Sequence, residues 1–395
     1  MKKNFLFFGS YIGINFLLIA LIATATQPFQ HHRSLASPVS TDTTHVTLQF
    51  VGDIMQHGSQ RRAAMLEDTT KFNYKSCFEL VADELKEADF TIANLELTLA
   101  GEPYTSYPTF SAPDKLVQDL VYSGVNVMAT ANNHSYDKGK KGLIRTLDVL
   151  DSLKILRAGT YRDTTEYLNS TPLILQKDSI RLALLNYTFS TNGIRVRPPN
   201  VVCAIDTAQI LRDIHKSKAS NVDAIIAFMH WGDEYTDQPN SYQKSISRLL
   251  HQKGIDYVIG AHPHVLQPME TFNDSTKAKK QVTVYSLGNF VAGQANEKRM
   301  GAIFRMKLQK IDHKLELSEC GYILTWIDKP YKNGKRLYQV VPVDKVKTTP
   351  KSPRALYTKK YRHFFQKYNK GVFEYMYDTI DSKWVLTQAD SSLDL

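Results

Sequence analysis

The chain has 395 residues, of which 43% are hydrophobic and 22% are charged, and its formal net charge at pH 7 is +10. This composition is typical of a globular protein with a large core. It excludes a disordered chain, a collagen-like repeat and a membrane protein with many spans. The positive charge is compatible with simple solubility, or with binding to anionic lipid or an acidic polymer.

The N-terminus has the layout of a secretory signal peptide. Lys2 and Lys3 precede a mostly apolar run over residues 5–25, and the letters ATA at 23–25 match a small-x-small cleavage signal. If it stays uncut, a run of about 20 residues can also span a bilayer. We therefore expect an exported protein, periplasmic or at the cell surface. Its segment 1–25 is either a cleaved signal peptide or an anchor in the inner membrane.

Residues 26–44 are polar and lack an apolar period, which is typical of a linker, and from His45 onward strand-like and helix-like segments alternate. In chain order the pattern predicts strand VTLQFVGD, helix SCFELVADELKEAD, strand FTIANLE, helix DKLVQDLVYSG, strand VNVMATANN, helix KGLIRTLDVLDSL, strand IRLALLNYT, helix TAQILRDIHKSK, strand DAIIAFMHWG, helix YQKSISRLLHQKG, and strands DYVIGAH and VTVYSLGNF. Such alternation predicts a layered α/β domain with a largely parallel sheet, here over residues 45–292.

The remaining segment, 293–395, is predicted to be a mostly β extension that ends in a basic helix. This helix combines seven basic residues with five aromatic residues at helical spacing: Lys351, Arg354, Lys359, Lys360, Arg362, Lys367 and Lys370 with Tyr357, Tyr361, Phe364, Phe365 and Tyr368. Basic residues interleaved with aromatics can form a nucleic-acid surface. An amphipathic helix whose aromatic face packs on the domain is the better interpretation for an exported protein, so we expect no nucleic-acid partner.

Polar side chains stand at the ends of six predicted strands, where ligands bind in sheets of this kind. They are Asp53, Asn94 with Glu96, Asn133 with His134, His230, His262 with His264, and Asn289. A single histidine after a strand is usually a satisfied core or surface residue, but the repetition indicates one shared site.

Oxygen and imidazole donors without thiolates suit Zn, Mn or Fe ions, so we predict one or two divalent metals. Asp53 and Glu96 would neutralise the cations, and the other proposed ligands are Asn133, His230, His262 and His264. His134 directly follows a ligand. It is therefore assigned to proton transfer, as the general acid that protonates a leaving oxygen. Asp137 is predicted to cap the next helix.

Five further residues are predicted to contact substrate or to support the ligands: Asn94, Asn132, Trp231, Glu234 and Asn289. Glu234 could orient a ligating histidine. The alternative is a loop that Asp233 caps and Trp231 packs. Asn289 could hydrogen-bond a histidine or substrate, or it could be an ordinary turn residue.

The order of the motifs GDIM, ANLE, ATANNHSYDKGKKGL, HWGDEY, GAHPHVLQPME and YSLGNF resembles the capsule-synthesis CapA family over residues 46–292. That family is tied to poly-γ-glutamate capsules and has a calcineurin-like metallophosphoesterase fold. The resemblance implies a four-layer α/β/β/α sandwich. It also implies a metal site made of Asp53, Glu96, Asn133, His230, His262 and His264.

Two departures from the wider superfamily bear on the number of metals. Metallophosphoesterases usually carry Asp-x-His at the first strand, whereas Met55 stands where this histidine would be, and Glu96 takes the place of a bridging Asp. His57 lies nearby and could compensate as a ligand, or it could belong to a solvent-facing loop.

Two hypotheses of different class follow. The first is an exported metal-dependent hydrolase that acts on an anionic cell-envelope polymer or its precursor, with membrane-bound capsule synthase subunits as further partners. The second is a non-catalytic subunit that keeps the fold and binds polyanion beside a synthase. The complete set of proposed ligands favours the enzyme.

Overall fold

The computed structural model describes three stretches of the chain: 43–274, 279–332 and 334–387. The predicted signal peptide or anchor at 1–25 and the linker residues 26–42 lie outside the described residues. The first strand begins at Thr43, two residues inside the predicted linker. Within the described stretches, no helix is long and apolar enough to cross a membrane.

The strands, in chain order, are β1 (Thr43–Ile54), β2 (Phe90–Leu95), β3 (Val127–Ala129), β4 (Leu156–Ala158), β5 (Thr160–Tyr161), β6 (Leu173–Lys177), β7 (Ile180–Thr188), β8 (Val201–Val202), β9 (Ala224–His230), β10 (Tyr257–Ala261), β11 (Met269–Asp274), β12 (Lys279–Val284), β13 (Asn289–Val291), β14 (Met300–Ile311), β15 (Lys314–Asp328), β16 (Tyr331–Lys332), β17 (Lys335–Arg336), β18 (Gln339–Pro342), β19 (Phe373–Asp378) and β20 (Lys383–Leu386).

The helices are α1 (Gly58–Ala64), α2 (Lys75–Phe78), α3 (Ala82–Lys86), α4 (Asp114–Tyr122), α5 (Gly139–Ser152), α6 (Thr164–Ser170), α7 (Thr207–Ala219), α8 (Ser241–Lys253) and α9 (Pro353–Tyr368), with a 3-10 turn at Asn296–Arg299. The predicted helix SCFELVADELKEAD is broken into α2 and α3. The break lets Phe78, Val81 and Leu85 all become fully buried.

Two sheets carry the fold. The first has the strand order β20-β19-β15-β14-β1-β2-β3-β4, and the second has the order β11-β12-β10-β9-β7-β6. Strands β1 to β4 are mutually parallel, as are β7, β9, β10 and β12, whereas β14 and β6 run antiparallel to their neighbours. The predicted parallel pairing therefore holds for the strands that carry the candidate site.

The sheets pack face to face, and helices cover both outer faces. Alternation along β1 sends Phe50 into the central layer, where its ring lies 6.3 Å from the rings of Phe228 and Phe304. Val51 faces the opposite way, into the layer under α2 and α4. A third apolar layer joins the second sheet to α7 and α8 through residues such as Leu250. This arrangement is the predicted α/β/β/α sandwich.

The C-terminal extension shares the core of the sandwich. Strands β14 and β15 continue the first sheet, and α9 buries Tyr361 and Phe365 against the central layer. The prediction of an aromatic face packed on the domain is confirmed. After the helix, Lys370 exchanges backbone hydrogen bonds with the edge strand β11, which covers an edge that would otherwise be open to pairing. Strands β19 and β20 follow, so the extension does not end in the basic helix as predicted.

Gly52, the residue before Asp53, lies so close to the backbone of Gly288 that a side chain does not fit there. A Cβ atom at Gly52 would lie 1.8 Å from the carbonyl oxygen of Gly288. We expect Gly52→Ala to destabilise the protein by about 3 kcal/mol or more, because neither backbone can move without displacing the sheet. Denaturant unfolding of the variant checks this, with Gly58→Ala as the matched control. Gly58 has space for a methyl group, so equal stability of the two variants would contradict the expectation.

Candidate metal centre

The carboxyl ends of parallel strands from both sheets meet at one edge of the sandwich. Asp53 lies near the end of β1, and Glu96 directly follows β2. His230 is the last residue of β9, and His262 comes just after β10. Asn133 lies in the turn after β3. The strands themselves therefore bring together side chains that are far apart in sequence, since Asp53 and His264 are separated by 211 positions.

Five of the candidate residues form two overlapping donor groups. Glu96, His230 and His262 place one donor atom each within 4.8 Å of one another, and so do Asp53, Glu96 and His264. Glu96 is common to both groups and therefore stands where a bridging ligand would be. Asn133 joins the first group, because its Oδ1 lies 2.8 Å from His230 Nε2.

The unpartnered polar atoms of this site fit a cation. Both carboxylate oxygens of Glu96 and Nδ1 of His262 are buried and have no hydrogen-bond partner among the described residues. Buried polar atoms are nearly always satisfied, so these donors call for a ligand. Burial, followed by the charge of Asp53, raises the pKa of Glu96 well above its usual range. A divalent cation between the carboxylates would offset this repulsion.

Two histidines of the site, His230 and His262, are held neutral by their surroundings. Burial, followed by the neighbouring His264, lowers the pKa of His230 well below its usual value, and burial with His230 does the same for His262. Neutral imidazole is the form that binds metal. His264 Nδ1 lies 3.0 Å from Asp53 Oδ2. His230 and His262 can thus bind a cation without first losing a proton.

Two of the candidate ligands, His262 and His264, have strained backbones. The φ angles of His262 and His264 are 102° and 59°, in the left-handed region that residues other than glycine rarely adopt. Such conformations cost about 1–3 kcal/mol each and persist where the surrounding structure enforces them, often at functional sites. The strain turns both imidazoles of the His-x-His motif toward the same edge of the sandwich.

Asn94 and Asn132 support the ligands. Asn94 Nδ2 donates to Asp53 Oδ1 at 2.8 Å and contacts His230 Nδ1 at 3.2 Å. Asn132 Nδ2 donates to the carbonyl of Leu95 at 2.7 Å, which ties its turn to the end of β2. Both residues are fully buried. Their hydrogen bonds place both residues where they can orient the candidate ligands.

His134 forms a pair with Asp137. Its Nδ1 lies 2.8 Å from Asp137 Oδ2, and its ring packs edge-on against Phe110 at 4.7 Å. Asp137 does not cap helix α5, contrary to the prediction, because its carboxylate is used by His134 and by the backbone N–H of Phe110. The pair fixes the ring of His134 and leaves Nε2 as the nitrogen that can meet a substrate.

Comparison with known proteins assigns the chain to a family. The sequence profile described as "Bacterial capsule synthesis protein PGA_cap" matches residues 47–294. The chain belongs to this capsule synthesis family. It is 27% identical over 305 residues to the capsule biosynthesis protein CapA of Bacillus anthracis, covering 74% of this chain and 70% of the relative. It is also 27% identical over 321 residues to the PGA biosynthesis protein CapA of Bacillus subtilis strain 168, covering 77% and 73%.

Solved structures similar to the chain include the calcineurin-like phosphoesterase YfkN from Bacillus subtilis. Its TM-score is 0.42 at 15% identity, with 82% of this chain and 98% of that chain covered. The NAD nucleotidase of Haemophilus influenzae has a TM-score of 0.47 at 11% identity, with 82% and 67% covered. Similarity at this level carries no argument about activity, which must come from the site itself.

Met55, which stands in place of the histidine of the Asp-x-His motif, and the nearby His57 both have structural roles in this chain. Met55 is buried in the apolar layer of the first sheet. His57 is half-buried, its Nδ1 accepts a hydrogen bond from the backbone N–H of Gly293, and it belongs to neither donor group. Burial lowers its pKa to about 4. It therefore matches neither the predicted extra ligand nor the predicted solvent-facing loop residue, and instead joins the start of α1 to the loop after β13.

Trp231, Glu234 and Asn289 are the other three residues that were predicted to contact substrate or to support the ligands. Trp231 is 0% exposed and donates to the carbonyl of Tyr285, so the packing alternative is the one that the structure shows. Glu234 is exposed and contacts Tyr235 rather than one of the candidate histidine ligands. Asn289 is buried, and its Nδ2 reaches the backbone carbonyl of His264 at 3.4 Å, so it helps to position this ligand.

The sequence interpretation missed two residues of the loop after β7. The ring of Phe189 lies 4.6 Å from that of His262, and Asn192 Oδ1 accepts from Asn133 Nδ2 at 3.2 Å. Both are exposed, so they border the open side of the site. A usable signal was present, because IRLALLNYT is one more parallel strand that ends at the same edge of the sandwich.

Proposed function

We propose that this chain is an exported, metal-dependent hydrolase that acts in the synthesis or processing of an anionic capsule or cell-envelope polymer of the poly-γ-glutamate type. The observation that carries the proposal is Glu96, a buried carboxylate with two unpartnered oxygens, shared by two groups of metal donors. Membership of the capsule synthesis family supports the polymer, and the N-terminal sequence supports export.

In this proposal, metal binding and proton transfer belong to different residues of the site. One or two divalent ions (Mn, Zn or Fe), when bound, would supply a Lewis acid and lower the pKa of water. Asp53, Glu96, Asn133, His230, His262 and His264 would hold them. His134 stands outside both donor groups and keeps Nε2 free for a proton. Asp137 orients its ring, so a leaving oxygen that meets Nε2 can be protonated.

The activity is tested on the purified chain with added Mn, Zn or Fe. Phosphoesters with good and poor leaving groups, γ-glutamyl polymers and their short fragments are the substrates. We expect cleavage of at least one class, lost on treatment with a chelator and restored by metal. Polymer binding without cleavage of any of these substrates would support instead the non-catalytic, polyanion-binding subunit of a capsule synthase complex.

A further inference from the structure

Unpartnered buried polar atoms mark the candidate metal centre, and a comparable group of them occurs elsewhere in the described part of the chain. Both amide atoms of Gln49, Oε2 of Glu84 and Nε of Arg305 are buried without a hydrogen-bond partner. Isolated cases could be satisfied by single waters. Glu84 and Arg305 line one cleft, and an unpartnered atom on each of these two charged side chains indicates a site that can receive a ligand.

The sheet register places these residues together. Gln49 in β1 lies directly opposite Arg305 in β14, so both side chains project to the same outer face of the first sheet. Arg305 in turn pairs with Gly321 of β15, which adds no side chain of its own there. Glu84 belongs to α3 and is only 1% exposed. Helix and sheet therefore present opposite charges to each other at the base of a cleft.

This cleft has a volume of about 380 Å³ and lies between α3 and the terminal hairpin β19–β20. Tyr377 and Trp384 of the hairpin form its apolar wall, with ring centroids 5.1 Å apart. Three acidic and three basic residues line it, so its charges balance. Ligand pockets start at about 300 Å³, which suits a molecule much smaller than a polymer segment.

The existing ion pairs leave one free atom on each charged group. Lys345 Nζ lies 2.8 Å from Glu84 Oε1, and Arg305 Nη2 lies 2.5 Å from Glu87 Oε2. Oε2 of Glu84 can still accept a hydrogen bond, and Nε of Arg305 can still donate one. Because the charges that line the cleft balance, the cleft favours neither a simple anion nor a simple cation. A ligand that carries both charges satisfies both atoms.

We propose that this cleft binds a small zwitterion of the amino-acid type. Its ammonium group contacts Glu84, its carboxylate contacts Arg305, and its side chain packs against Tyr377 and Trp384. The site is separate from the metal centre. Helix α3 precedes the amino end of β2, whereas Glu96 follows the carboxyl end of that strand, six residues long, a separation of roughly 20 Å along the strand. The inference does not depend on the proposed hydrolase activity.

The test is isothermal titration of the purified full chain with the common amino acids and with two matched derivatives. L-Phenylalanine keeps both charges, N-acetyl-L-phenylalanine lacks the ammonium group, and L-phenylalaninamide lacks the carboxylate. We expect one or more free amino acids to bind, and each derivative of a binder to bind at least about tenfold more weakly, since each loses a charge-assisted hydrogen bond. Where the binder is not phenylalanine, its own N-acetyl and amide forms are used.

Two variants make the assignment specific. Glu84→Gln should weaken binding about tenfold or more. Trp384→Ala, which removes part of the apolar wall and the hydrogen bond from Nε1 to Glu84 Oε1 at 3.4 Å, should weaken it as well. Lys367→Ala, on the exposed face of α9, and His262→Ala, at the metal centre, should bind as the wild type does. Thermal melting confirms that each variant is folded. Absence of binding by every amino acid, equal binding of the blocked derivatives, or unchanged binding by folded Glu84→Gln would each overturn the proposal.

Discussion

Glu96→Gln is expected to remove most of the bound divalent metal from this protein while leaving its fold intact. The substitution keeps the size of the side chain but replaces a carboxylate that belongs to both donor groups. Mutation of a residue that merely supports a metal ligand typically costs about 10–100-fold in metal affinity. The loss of a shared, charged ligand should cost more than this.

Elemental analysis of the dialysed proteins checks the expectation and also counts the metals. The wild type should hold up to two ions. His262 and His264 belong to different donor groups, so His262→Ala and His264→Ala should each lower the number of metal ions per chain by about one. His363→Ala, on the exposed side of α9, is the control for removing a histidine. If His262→Ala and His264→Ala both retained the full metal content of the wild type, the proposed site would be wrong.

The layered architecture and the place of the site could be predicted because both follow from periodicity. Parallel strands bring their carboxyl ends to one edge, so polar residues at those ends, such as Glu96 and His262, were predicted to meet. The resemblance in motif order then implied the same donor set. The same periodicity predicted α9 and its buried aromatic face, since Tyr361 and Phe365 are four residues apart.

What could not be predicted depends on tertiary contacts that leave no periodic signal. The role of Asp137 is decided by Phe110, whose backbone N–H reaches its carboxylate from another loop. Trp231 looks like a substrate contact in sequence, because it follows a ligand, yet the pleat turns it to the opposite face and into the core. The unpartnered atoms of Gln49 and Arg305 are visible only once the register of β1 and β14 is known.

His134→Asn is expected to keep the metal and lose about 10²–10⁴-fold in turnover, the usual worth of one positioned proton transfer. His134 is in neither donor group, so its removal should leave the ligands untouched. Asp137→Asn should cause a smaller loss, because the imidazole remains while the carboxylate that orients it through Nδ1 is gone. Metal content measured on the same preparations separates the two roles: loss of metal in His134→Asn would make His134 a ligand.

A comparison of substrates with good and poor leaving groups tests whether His134 is the general acid. A general acid matters when the departing oxygen is a poor leaving group and needs a proton as the bond breaks. It matters little for an activated phenol, which departs as a stable anion. The rate ratio of wild type to His134→Asn should therefore be large for an alkyl ester and should shrink for a nitrophenyl ester of the same acid. Equal ratios for the two esters would remove the acid role, because a residue that only shapes the site slows both reactions alike.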